Sequence, residues 1–108
     1  MDVIEVAETV PLGIDAHGVY RIGGTRVILD LVIRAFNRGA TPEEIVDDYT
    51  SLQLFEVYQV IGYYLKHKTE LDEYIERRQR EEKELLAAHP EWSPKGLRDR
   101  LLARQKNQ

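Results

Sequence analysis

The chain contains no cysteine. That absence excludes disulfides, thiolate metal sites and thiol catalysis, and it permits a reducing cytoplasm, where we expect the protein to reside. No stretch approaches the roughly 18 to 20 consecutive apolar residues that a membrane span needs, so no membrane partner is expected. The opening Met1-Asp2-Val3-Ile4-Glu5 offers neither a basic segment nor an apolar one, and no signal peptide is expected there. Metal-ligand patterns are missing as well. The three histidines, His17, His67 and His89, fall in a turn, at a helix end and before a proline, and none has a partner at ligand spacing. Neither a metal nor a cofactor is expected. Nucleophilic catalysis would need a serine or threonine beside a base. Ser51 and Ser93 instead stand where helices begin, and capping explains them. Gly23-Gly24-Thr25-Arg26 lacks the spacing of a phosphate loop or a dinucleotide fingerprint and reads as a turn between a strand and a helix. No catalytic constellation emerges, and the expectation is a protein that is not an enzyme.

What is present is a soluble profile, 43% hydrophobic and 31% charged over 108 residues, enough for one modest core. The net charge is −4 but unevenly spread. Residues 28–67 hold six acids against three bases, whereas from Lys95 onward five bases face one acid. The acidic middle argues against a nucleic-acid partner and the basic end does not.

The β-branched run at residues 3–10 predicts a strand. Asp15-Ala16-His17-Gly18 is a turn signal, and Val19-Tyr20-Arg21-Ile22 alternates, so residues 10–22 read as a β-hairpin. From Ile28 the period becomes helical. Leu29, Val32, Ile33 and Phe36 predict a helix over 28–37 closed by Gly39. Thr41-Pro42-Glu43-Glu44 is a capping box opening a short helix at 42–49, with Ile45, Val46 and Tyr49 inward. A third helix is predicted over 54–67, burying Leu54, Val57, Ile61, Tyr64 and Leu65. A fourth, over 69–88, has no apolar residue between 76 and 84, and Ser93-Pro94 opens a last one at 94–105. The expected organisation is a domain at 1–68 followed by a helical arm at 69–108.

Three short helices with a tight turn before the third have the layout of a helix-turn-helix. If the third helix read bases, Gln59, Tyr63 and Lys66 would face the groove, and Arg34, Arg38 and Arg26 could meet phosphates. The last helix sets Leu97 and Leu101 on one face beside Arg98 and Arg104, with Trp92 just upstream. These five form a candidate partner-binding segment that orders on contact, the alternative being a helix that packs on another protomer or back on the same chain.

Val10-Pro11-Leu12, Gly18 through Val27, Gly39-Ala40-Thr41-Pro42-Glu43-Glu44-Ile45, Tyr49 with Leu52, and Val57 through Leu65 together resemble domain-of-unknown-function family 433. The resemblance covers about residues 10–78. It implies a mainly α protein with a homeodomain-like or winged-helix-like trihelical unit and a small β element. It also implies a prokaryotic protein and, for some members, the antitoxin half of a VapB-type toxin–antitoxin pair whose toxin is a PIN-type ribonuclease. Thr50 and Gln53 depart from the family's usual proline and its usual Ser or Thr cap. The expectation is therefore an antitoxin-like DNA-binding protein that also binds a toxin, and a homodimer joined through residues 3–10 or the arm. The rival expectation is an interaction or dimerisation module that uses the same scaffold without DNA.

Overall fold

The computed structural model describes residues 2–106, with side chains as far as Leu102. It is mainly helical, with one small two-stranded antiparallel sheet near the N-terminus. The order is β1 (Leu12–Ile14), β2 (Tyr20–Ile22), α1 (Leu29–Asn37), α2 (Pro42–Asp48), α3 (Leu54–Lys66), α4 (Lys68–Ala88), a 3-10 turn (Pro90–Trp92) and α5 (Pro94–Lys106). The chain divides into two compact units, residues 1–68 and 69–108.

In the first unit the hairpin is tied by its own turn residue. Asp15 Oδ1 accepts from the His17 and Val19 amides at 2.8 and 3.1 Å, and Gly18 takes φ 78°. The other carboxylate oxygen accepts from Arg21 Nε at 2.9 Å. These bonds hold the Asp15 carboxyl below its ordinary pKa, the Val19 amide contributing most. β1 and β2 then pair with Leu12 opposite Ile22 and Ile14 opposite Tyr20. The segment before the hairpin is not a strand. Residues 2–10 have no regular structure, and Val3, Ile4 and Val6 are 79, 91 and 96% exposed. β-propensity expresses itself only against a neighbour, and no strand of the described residues pairs with this stretch.

Each helix of the trihelical unit has an identifiable start or stop. α1 ends in a left-handed glycine, Gly39 at φ 99°, and the Ala40 amide reaches back to the Ala35 carbonyl at 3.0 Å. α2 opens on a complete capping box: Thr41 Oγ1 accepts from the Glu44 amide, and the Glu44 carboxylate accepts from the Thr41 amide. α3 starts at Gln53, a poor cap, and Glu56 makes good the deficit by accepting from the Gln53 amide at 2.9 Å.

The three helices pack on one another and α1 also covers β2. Ile22, Leu29, Val32, Ile33, Ile45, Val57, Val60 and Tyr64 are fully enclosed. Tyr64 crosses this core, its ring edge-on to Phe36 at 6.3 Å and its hydroxyl accepting from Asn37 Nδ2 at 3.3 Å. The buried face of α3 differs from the expected one. Val57, Val60, Ile61 and Tyr64 are inside, whereas Leu54 and Leu65 are exposed. The i, i+3, i+4, i+7 spacing of the four buried residues is the helical seam, and a helix apolar on most of its circumference left the choice of face open.

In the second unit, Leu71, Tyr74 and Ile75 are buried near the start of α4, and the Arg77 and Arg78 guanidiniums stand 5.9 and 5.8 Å from the Tyr74 ring centroid. Residues 76–84 carry no apolar side chain. The 3-10 turn folds tightly onto α5. Ser93 Oγ donates to the Pro90 carbonyl at 2.7 Å and accepts from the Gly96 amide at 3.0 Å. A Cβ on Gly96 would run into the Pro90 carbonyl oxygen and lie 2.6 Å from Glu91 Cα, so only glycine fits there.

Candidate interaction surfaces

The outer face of α3 is the most distinctive surface of the first unit. Leu54, Phe55, Tyr58 and Leu65 are 41, 57, 52 and 54% exposed, and Gly62 lies among them with open space where a Cβ would be. Steps of three, four and three residues from Phe55 through Tyr58 and Gly62 to Leu65 keep these positions in one stripe. The stripe borders an acidic helix. Glu43, Glu44, Asp47 and Asp48 of α2 are all exposed, and α2 has no basic residue. The two elements are joined by the Tyr58 hydroxyl, which donates to Glu43 Oε1 at 2.7 Å. That bond lowers the Glu43 pKa and raises that of the Tyr58 phenol.

The residues expected to read DNA occupy a different strip. Gln59, Tyr63 and Lys66 follow one another at helical spacing beside the apolar stripe. Gln59 and Tyr63 are half-buried and Lys66 is exposed. Tyr63 stacks on His67, with ring centroids 4.3 Å apart. Glu56, which would have faced phosphate, is turned back on its own helix as a cap. Arg26, Arg34 and Arg38 are exposed, on the loop before α1, on α1 and at its end.

The glycine loop is structural. Gly23 has φ 55°, and a Cβ there would lie 2.6 Å from Glu56 Oε2. Thr25 Oγ1 donates to the Ile22 carbonyl at 2.7 Å and accepts from the Val27 amide at 3.1 Å, while Arg21 Nη1 donates to the Arg26 carbonyl at 3.2 Å. The loop thus uses its own polar groups to hold residues 21–27 together ahead of α1.

In the second unit Trp92, Leu97 and Leu101 are about half exposed, and Arg98 is exposed. The Arg104 side chain lies outside the described residues. Trp92 is held flat against His89, centroids 3.9 Å apart and planes 8° from parallel, and His89 Nδ1 lies 3.2 Å from Glu91 Oε1. Among the described residues no three His, Asp or Glu side chains could share a metal ion, and no helix is long and apolar enough to cross a membrane.

Phe55, Tyr58 and Gly62 were not singled out from the sequence. Their signal was available in the three-four-three spacing, but it was hidden beneath the stronger seam that builds the core. No curated protein and no solved structure matches the chain. A family model does match, over residues 16–64, which run from the hairpin turn through α1 and α2 to Tyr64. Over that segment the chain is similar to the family described as Protein of unknown function (DUF433).

Proposed function

We propose that this protein is a non-catalytic binding module whose trihelical unit engages another protein along the outer face of α3. The observation that carries this reading is the exposed stripe of Phe55, Tyr58 and Leu65 bordered by the acids of α2. A helix that reads DNA presents hydrogen-bonding side chains to base edges and sits among positive charges that neutralise phosphate. α3 presents apolar side chains instead, beside four carboxylates. A contiguous exposed apolar strip with a polar border is the signature of a protein contact. On this reading a helix-turn-helix-type, homeodomain-like scaffold serves protein docking, consistent with the general rule that a fold does not fix its use.

A second reading is the antitoxin-like one. It is favoured by the shared strip of Gln59, Tyr63 and Lys66, and by the exposed Trp92, Leu97 and Leu101 on a basic segment suited to an acidic PIN-type ribonuclease cleft. One experiment separates the two. A photo-crosslinking phenylalanine analogue in place of Leu65, irradiated in growing cells, is expected to give adducts that protease digests and nuclease does not. Anisotropy titration with the chain's own upstream duplex at low salt is the other arm. Tight binding that Gln59→Ala with Lys66→Ala abolishes would overturn the protein-docking reading.

A further inference from the structure

The stripe on α3 complements itself. Val60 is fully buried, so the point of the helix surface diametrically opposite it belongs to the exposed side. Three pairs of residues straddle that point symmetrically: Tyr58 with Gly62, Phe55 with Leu65, and Leu54 with Lys66. A two-fold axis tangent to the helix surface at that point, and perpendicular to the helix, lays a second α3 antiparallel on the first. It brings each residue of a pair over its counterpart in the other copy, the defining relation of an isologous interface.

The contents of the pairs fit this operation. Tyr58, the bulkiest outward side chain near the axis, meets Gly62, which has open space at its Cβ position. Phe55 meets Leu65, both more than half exposed. Charge agrees with the direction. Tyr58 is bonded to Glu43 of acidic α2, and the antiparallel arrangement sets that acidic end against the partner's Lys66 end. It also opposes the two helix dipoles. Parallel packing would instead bring the two sets of α2 carboxylates together.

We infer that the chain self-associates through α3 in this antiparallel register, with Tyr58 of each copy seated over Gly62 of the other. The inference rests on the protein-docking reading above and names the protein as a second copy. The four outward side chains, each about half exposed, leave roughly 800 Å² to be covered across two copies, from typical side-chain areas. That is below the ~1,200 Å² of stable complexes, so the dimer is weak and forms with rising concentration.

The absence of native cysteine gives a clean test. In the 108-residue chain carrying both Phe55→Cys and Leu65→Cys, the two positions are ten residues apart on one helix. At 1.5 Å per residue they are too far apart to bridge within a copy. Oxidation is expected to yield a disulfide-linked dimer as the main product, whereas Phe55→Cys alone stays largely uncrosslinked. Sedimentation of the unmodified chain from micromolar to near-millimolar concentration is expected to show a monomer–dimer equilibrium. Gly62→Gln should shift it at least tenfold toward monomer while helicity by circular dichroism is unchanged. Tyr58→Ala combined with Gly62→Tyr should restore the dimer by exchanging knob and hole. A monomer at every concentration, or crosslinking by the Phe55→Cys single variant as efficient as by the double, overturns the inference. If the Leu65 photo-crosslinker still captures protein while self-association is absent, the docking reading survives and only the second copy is lost. Nucleic-acid adducts in place of protein adducts remove both.

Discussion

The two units use the same residue types to opposite ends. In residues 1–68 the leucines, isoleucines and valines recur at helical spacing and interlock with a tyrosine into an enclosed core. In residues 69–108 they gather at the start of α4 and return only after the nine charged and polar residues 76–84; Leu85, Leu97, Leu101 and Leu102 are then about half exposed. The first unit owes its shape to burial. The corner of the second, at residues 89–97, owes its shape to backbone fit, with a serine bonded in two directions and a glycine that nothing larger can replace. Apolar content alone therefore does not predict where order comes from.

The sharpest way to break this contrast is to remove equivalent bulk from each unit. Tyr64→Ala deletes the ring that spans α1 and α3 and is expected to cost the first unit about 3–5 kcal/mol, close to unfolding it, as read by urea denaturation followed by far-ultraviolet circular dichroism. Leu97→Ala should change stability by less than about 0.5 kcal/mol in the same assay, because that side chain is already half in water. Comparable losses from the two would erase the distinction.

Gly96→Ala probes the other half of the comparison. It should free the amides of residues 93–97 to exchange with solvent at least tenfold faster while leaving the urea midpoint of the first unit in place. Protection equal to the unmodified chain would show that the corner is not held by that close contact.

Within the first unit, the loops carry smaller and separable shares. Glu56→Ala removes the bond to the Gln53 amide and should destabilise by about 1 kcal/mol, the usual scale of a lost N-terminal cap. Substitution of Gln53 by Ser should offset part of that loss by supplying a cap of its own. If the pair together is no better than Glu56→Ala alone, α3 is not opened by that bond.

The smallest effect expected is a titration. The Tyr58 hydroxyl holds the Glu43 carboxyl below its ordinary pKa. The stabilising contribution of this bond is therefore present above the unfolded carboxyl pKa and disappears as pH falls through the lowered folded value. Seen from the phenol, whose folded pKa is raised, it is present below the unfolded tyrosine pKa and disappears as pH rises through the folded one. Tyr58→Phe should return the Glu43 carboxyl toward its ordinary value in a carbon-detected NMR titration. An unmoved titration would mean that the hydroxyl is not its partner in solution.

Much of the architecture was legible in the residues. The turn at Asp15–Gly18, the glycine stop at Gly39 and the box at Thr41–Glu44 are local devices, each complete within a few residues, and all three appear as read. What could not be read depends on partners distant in sequence. Residues 3–10 have strand-forming side chains but no strand beside them. Leu54 and Leu65 fit a helical stripe as well as Val60 does, and only the packing of α1 and α2 decides which are enclosed. The candidate surface was missed for the same reason as the α3 face: an outward stripe becomes visible only once the inward one is known.

Trp92 is the only tryptophan, and it lies face to face with His89 in the second unit. Intrinsic indole emission from this protein is consequently a local gauge. It reports the stacked corner around residues 89–97, whereas ellipticity averages over all the helices. Unfolding curves from emission and from ellipticity therefore weigh different residues. Curves that do not coincide would mean that the corner and the remaining helices lose structure separately, with a partly folded species between them.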